Sequence, residues 1–132
     1  MSVVTKSIVL SCNAATAWKF LADGSRWSQW AIRNVLASTP VSDDRWEIQT
    51  PRGAGTLRIR GVEALGVLDH DFIDPREGQW TVPARVVPLS KGAAFILTLE
   101  KPGDMPPEMF ERGLKELDEE LAQLARISST LE

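Results

Sequence analysis

Apolar residues recur with two different periods along this chain, and the change of period separates a sheet-forming part from a closing helix. Over residues 107–126 the apolar positions Phe110, Leu114, Leu117, Leu121 and Leu124 are spaced by four and three, which puts them on one stripe of an α-helix. Glu111, Arg112, Lys115, Glu119, Gln123 and Arg126 lie off that stripe, and Glu108 and Glu111 suit the positive N-terminal end. Glu111 with Lys115, Arg112 with Glu116 and Lys115 with Glu119 stand at helical spacing, which predicts solvated ion pairs along the outer face.

Before that helix the period is mostly two. Residues 3–11 are rich in β-branched side chains, with Val4, Ile8 and Leu10 turned toward a core and Lys6 interrupting them. Asn13 stands at an N-cap, followed by a short helix with Ala14, Ala17, Trp18 and Leu21 on one face. Ser25 is placed to cap a second short helix carrying Trp27, Trp30 and Ala31. Residues 35–39 predict a strand stopped by Pro40.

Residues 45–50 and 55–62 then read as a hairpin around 51–54. Thr50 opposite Gly55 sets Ile48 opposite Leu57 and Trp46 opposite Ile59, with Glu47 facing Arg58 on the other side. A second hairpin joins 67–74 to 80–88, and Asp74 opposite Gly78 gives Leu68, His70, Phe72, Trp80, Val82, Ala84 and Val86 a common inner face. Asp69, Asp71, Thr81 and Arg85 take the outer one. A two-residue turn at Lys91-Gly92 adds Phe95, Leu97 and Leu99 to the inner side, while Pro83 and Pro88 predict a bulge or an edge. The pattern is α+β: a strongly bent antiparallel sheet of about seven strands, two short helices after the first strand, and a long C-terminal helix across the concave face.

Length changes this picture little, since 132 residues at 43% hydrophobic fit one domain over 1–132 with a real core. A net charge of -3 gives no electrostatic footprint for nucleic acid. Arg45, Arg58 and Arg60 form a small basic stripe, but Glu47 interleaves with it and it reads as a solvated face. Cys12 is the only cysteine, so no disulfide or thiolate cluster forms, and a reducing cytoplasm is the expected setting. The apolar run before Cys12 is too short for a signal peptide, and no segment reaches the length of a membrane span.

His70 is the candidate for chemistry, because imidazole exchanges a proton near neutral pH. A lone inward histidine among Leu68, Phe72 and Trp80 is more often a hydrogen-bonded core residue, so catalysis ranks second. Asp69-His70-Asp71 has the look of a metal site, but alternation sends both aspartates away from His70, and no metal or other cofactor is expected. Arg85 pairs most simply with Asp69 across the hairpin. Gly53-Ala54-Gly55 lacks the lysine and following helix of a phosphate loop. No tyrosine is present to orient a polyketide or steroid, which weighs against cyclase chemistry. Gly113, at the edge of the helical stripe, costs about 1 kcal/mol relative to alanine and leaves room either for a strand or for a ligand.

The element order, with residues 8–18, Trp27-Ser28-Gln29-Trp30, Gly66-Val67-Leu68-Asp69-His70 and Val82-Pro83-Ala84-Arg85-Val86-Val87-Pro88, resembles the SRPBCC or START-like superfamily, and especially its polyketide cyclase/dehydrase-like group. The resemblance spans almost the whole chain and implies a helix-grip fold with a deep apolar cavity between sheet and last helix. It implies no single activity, since members include lipid carriers and aromatic cyclases. The expected ligand wall comprises Trp46, Ile48, Leu57, Ile59, Leu68, His70, Phe72, Trp80, Val82, Phe95, Leu97, Phe110, Gly113, Leu114 and Leu117. The leading expectation is a non-enzymatic binder of a small hydrophobic molecule, as a monomer or weak homodimer. The alternatives are an aromatase/cyclase- or dehydratase-type enzyme using His70 as general acid or base, and an interaction module with a filled core.

Overall fold

Period-two patterning over most of the chain becomes one sheet of eight antiparallel strands in a computed structural model that describes residues 2–131. The strands are β1 (Val3–Leu10), β2 (Ala37–Ser42), β3 (Arg45–Thr50), β4 (Gly53–Val62), β5 (Val67–Asp74), β6 (Gly78–Val82), β7 (Ala84–Pro88) and β8 (Ala93–Glu100). Their order is β1-β8-β7-β5-β4-β3-β2, with β6 paired to β5 off that path. Helices α1 (Ala14–Ala22) and α2 (Trp27–Trp30) follow β1, and α3 (Pro107–Ser128) closes the chain. This is the α+β helix-grip arrangement, a curved sheet holding one long helix against its concave face.

The eighth strand comes from Pro83. It has no N–H for a ladder, so the predicted strand over 80–88 divides: β6 stays on β5, while β7 moves onto β8 and keeps a single ladder pair with β5, Val67 with Arg85. Val82, Ala84 and Val86 nevertheless all stay buried, because the break keeps the alternation in phase.

Two hairpin registers differ from expectation by two residues. Thr50 faces Gly53, Ile48 faces Gly55 and Trp46 faces Leu57, because the turn is only Pro51-Arg52, with Gly53 at φ 118°. Glu47 therefore faces Thr56 instead of Arg58, whose guanidinium pairs with Asp44 at 3.3 Å. The β7–β8 turn is centred on Ser90-Lys91, one residue early, since Leu89 N–H donates to Gly92 O and Pro88 faces Ala93. A slip of two preserves the face of every side chain.

Three smaller boundaries also change. Asp23, not Ser25, caps the 3-10 turn Gly24–Arg26 before α2, accepting from Ser25 N–H at 3.0 Å. Pro40 does not stop β2 but sits inside it, which an edge strand tolerates. Helix α3 runs two residues past Arg126 to Ser128, where the Ser128 hydroxyl accepts from Ser11 N–H at 3.0 Å.

The polar ties of α3 run outward to other elements. Lys6, the interruption in β1, reaches Asp118 at 3.0 Å, and Arg33 reaches Glu116 at 3.5 Å and Glu119 at 2.6 Å. None of the three intrahelical pairs expected from spacing is among the ion pairs of the described residues; two of their members, Glu116 and Glu119, turn to Arg33 instead. No described helix is long and apolar enough to cross a membrane.

Candidate functional site

Between the inner face of the sheet and α3 lies a cavity of about 450 Å³. Its deep wall is built by β5, β6 and β8, which contribute His70, Phe72, Trp80, Val82 and Leu97, and by Ile48 of β3. Helix α3 supplies Phe110, Gly113, Leu114 and Leu117 from the stripe that its period predicted. Exposed Arg52, Met109 and Arg112 mark the open side. Such a mostly apolar space, with Arg52, Asp74, Arg112, Glu116 and Glu120 also in its lining, has the make-up of a small-molecule site.

Five residues of the expected wall lie elsewhere in the core. Trp46 is covered by the turn before α2, its Nε1–H donating to Ser25 Oγ at 3.1 Å. Leu57, Ile59 and Leu68 are buried without lining the cavity, and Phe95 meets Trp30 edge-on at 6.0 Å. A shared strand face was necessary for lining but not sufficient, because α1 and α2 cover part of that face. For the same reason Trp27 and Trp30, expected only as packing, line the cavity.

His70 is 2% exposed and enclosed by aromatic rings, with Trp27 at 4.8 Å and Phe72 at 5.6 Å, both nearly perpendicular to it. Its Nδ1–H donates to the Leu68 carbonyl oxygen at 2.9 Å. Burial pushes its pKa down to about 4, against the opposing pull of the Leu68 carbonyl and of Asp71 and Asp69. The ring is therefore neutral at pH 7, able to accept a proton or hydrogen bond and not poised as an acid.

The flanking aspartates face outward. Asp69 meets Arg85 at 2.5 Å and accepts from Ala84 N–H at 2.9 Å. Asp71 receives a fork from Arg60, at 3.1 and 2.9 Å, and the Thr81 hydroxyl at 2.7 Å. Burial disfavours its charged form, yet these donors outweigh burial and hold its pKa below the ordinary aspartate range. Cys12 is buried and its thiol pKa is raised by burial, as suits an unreactive core side chain.

Glu120 is a buried charged site residue that reading the sequence missed. It is 3% exposed, lines the cavity, and accepts from Arg33 N–H at 3.0 Å, Asn34 N–H at 3.1 Å and the Asn34 side-chain amide at 3.3 Å. Burial raises its pKa, partly offset by those donors and reinforced by Glu116. The signal was present: position 120 is three after Leu117 and four before Leu124, on the inward stripe, but the run Asp118-Glu119-Glu120 disguised it as outer surface.

No protein-family model matches the chain, and no curated protein matches it by sequence. Solved structures match it in fold. The Zhui aromatase/cyclase from Streptomyces sp. R1128 superimposes with a TM-score of 0.76 at 15% identity, over 97% of this chain and 93% of that one. A putative uncharacterized protein from Bacillus thuringiensis gives 0.75 at 9% identity, over 96% and 98%. The di-domain aromatase/cyclase BexL of the BE-7585A pathway gives 0.74 at 18% identity, over 96% of this chain and 46% of that one. At such identities the likeness is one of fold, the same helix-grip arrangement.

Proposed function

We propose that this chain binds a small, largely apolar molecule in the cavity between the sheet and α3, with His70 as its polar anchor. The observation that carries this reading is an apolar space of about 450 Å³ with a neutral imidazole in its wall. Trp27, Trp30 and Trp80 line the same space, so occupancy should change their emission. The chain acts as one domain, a monomer or weak homodimer in a reducing cytoplasm, and needs no cofactor for this role. Native mass spectrometry and tryptophan fluorescence across lipids, aromatics and isoprenoids test it. Saturable one-to-one binding is expected, and the absence of saturation with every compound would sink the reading.

A second reading is an aromatase/cyclase- or dehydratase-type enzyme, favoured by fold likeness to proteins that carry that description. The depressed pKa of His70 then assigns it the role of base over that of acid. Replacing His70 by Ala should abolish turnover of a cyclisation substrate while leaving its binding nearly intact, and a fully active variant would exclude the role.

A further inference from the structure

The hydrogen bonding of His70 restricts what the cavity can hold. The Leu68 carbonyl oxygen can only accept, so Nδ1 keeps the ring proton and Nε2 of the neutral ring presents a lone pair alone. The bond to Leu68 is the ring's one hydrogen bond among the described residues. A ketone, ether or carboxylate oxygen brought against Nε2 would set lone pair against lone pair in a buried place. A hydrocarbon would cover Nε2 and leave it unpaired. A hydroxyl does neither, because its O–H donates to Nε2 while its oxygen still accepts. Trp30, which also lines the cavity and is 2% exposed, carries an Nε1–H with no acceptor among the described residues.

Building on the ligand-binding reading, we propose that the molecule taken up is a neutral apolar alcohol or phenol whose hydroxyl donates to His70 Nε2. The selectivity is for a donor at the buried end of the ligand, against carbonyl, ether and carboxylate analogues of the same shape.

A matched set tests this at pH 7: naphthalene, 2-naphthol, 2-methoxynaphthalene and 2-naphthoate, followed by calorimetry and tryptophan fluorescence. The naphthol should bind about tenfold more tightly than the naphthalene and the methyl ether, the equivalent of one buried hydrogen bond, with the naphthoate weakest. In His70→Phe the naphthol-to-naphthalene ratio should fall to about one. A readout free of any variant is available because His70 is the only histidine. Its nitrogen resonances in the wild-type protein should report a protonated Nδ1, with Nε2 shifting on addition of naphthol and not of the ether. Equal affinity for naphthol and its ether, or a proton found on Nε2, would overturn the inference while leaving apolar binding intact. No saturable binding by any of the four would overturn both.

Discussion

A β-carbon on Gly24 would stand 2.3 Å from Cδ2 of Trp46, so the indole occupies the space that a side chain at position 24 would need. Ser25 fixes that indole further by accepting its N–H. Gly24→Ala should therefore cost about 1–3 kcal/mol, the usual range for overpacking a rigid core. Urea unfolding measures it, and Trp46→Phe in the same chain should recover part of the loss. An unchanged midpoint would mean that the indole moves aside freely.

That contact also shows where sequence reading stopped. Face assignment rests on a period of two, which survived both register slips and the break at Pro83, so His70, Phe72 and Leu97 were placed inward correctly. What covers a face depends on how short helices fold back over it, and no periodicity encodes that. Trp46 and Trp27 illustrate the difference: both are buried, but only Trp27 reaches the cavity, because the turn at Gly24 lies over Trp46. Glu120 needed the same three-dimensional knowledge, since a carboxylate on the apolar stripe makes sense only with the Arg33 and Asn34 amides in view.

Asp71 lies on the outer face of β5 yet is only 1% exposed, clamped by Arg60 and Thr81. Asp71→Asn should lower stability at pH 7 by about 1.5–3 kcal/mol, as expected when a charge-assisted hydrogen bond is weakened. Because the folded pKa lies below the ordinary value near 3.8, this stability is present above that value and is lost as pH falls through the folded pKa. The gap between wild type and variant should narrow in acid unfolding series below about pH 4. A gap independent of pH would assign the loss to packing.

Glu120 should behave with the opposite sign. Its folded pKa is raised above the ordinary value of 4.5, so the cost of its charge is absent below that pH and develops as pH rises through the folded pKa. Glu120→Gln, which removes the charge and keeps an acceptor, should match or exceed wild-type stability at pH 7, with its relative advantage shrinking toward pH 4. Glu120→Ala should lose about 1–3 kcal/mol, because two backbone N–H groups lose their acceptor. Thermal melts at the two pH values separate these outcomes, and a Gln variant weaker at pH 7 than at pH 4 relative to wild type would contradict the sign.

Nothing lies within 4 Å of a β-carbon built on Gly113, although that residue lines the cavity. Gly113→Ala should raise stability by about 0.5–1 kcal/mol through helix propensity alone, and leave the affinity for 2-naphthol unchanged. Gly113→Phe should weaken that affinity by projecting into the open side. Equal affinity in both variants would remove Gly113 from the binding wall.

The side-chain ties of α3 to Ser11, Gln29, Arg33, Asn34 and Lys6 all fall from Glu116 onward, whereas Phe110, Gly113 and Leu114 line the cavity. The charged and side-chain hydrogen-bonded ties of the helix to other elements are thus confined to its C-terminal half, while its N-terminal half is held by apolar packing around Phe110. Amide exchange should run faster from Phe110 to Leu114 than from Leu117 to Leu124, and an even rate along the rod would contradict this. Displacing residues 110–114 would therefore break none of the charged clamps of the helix.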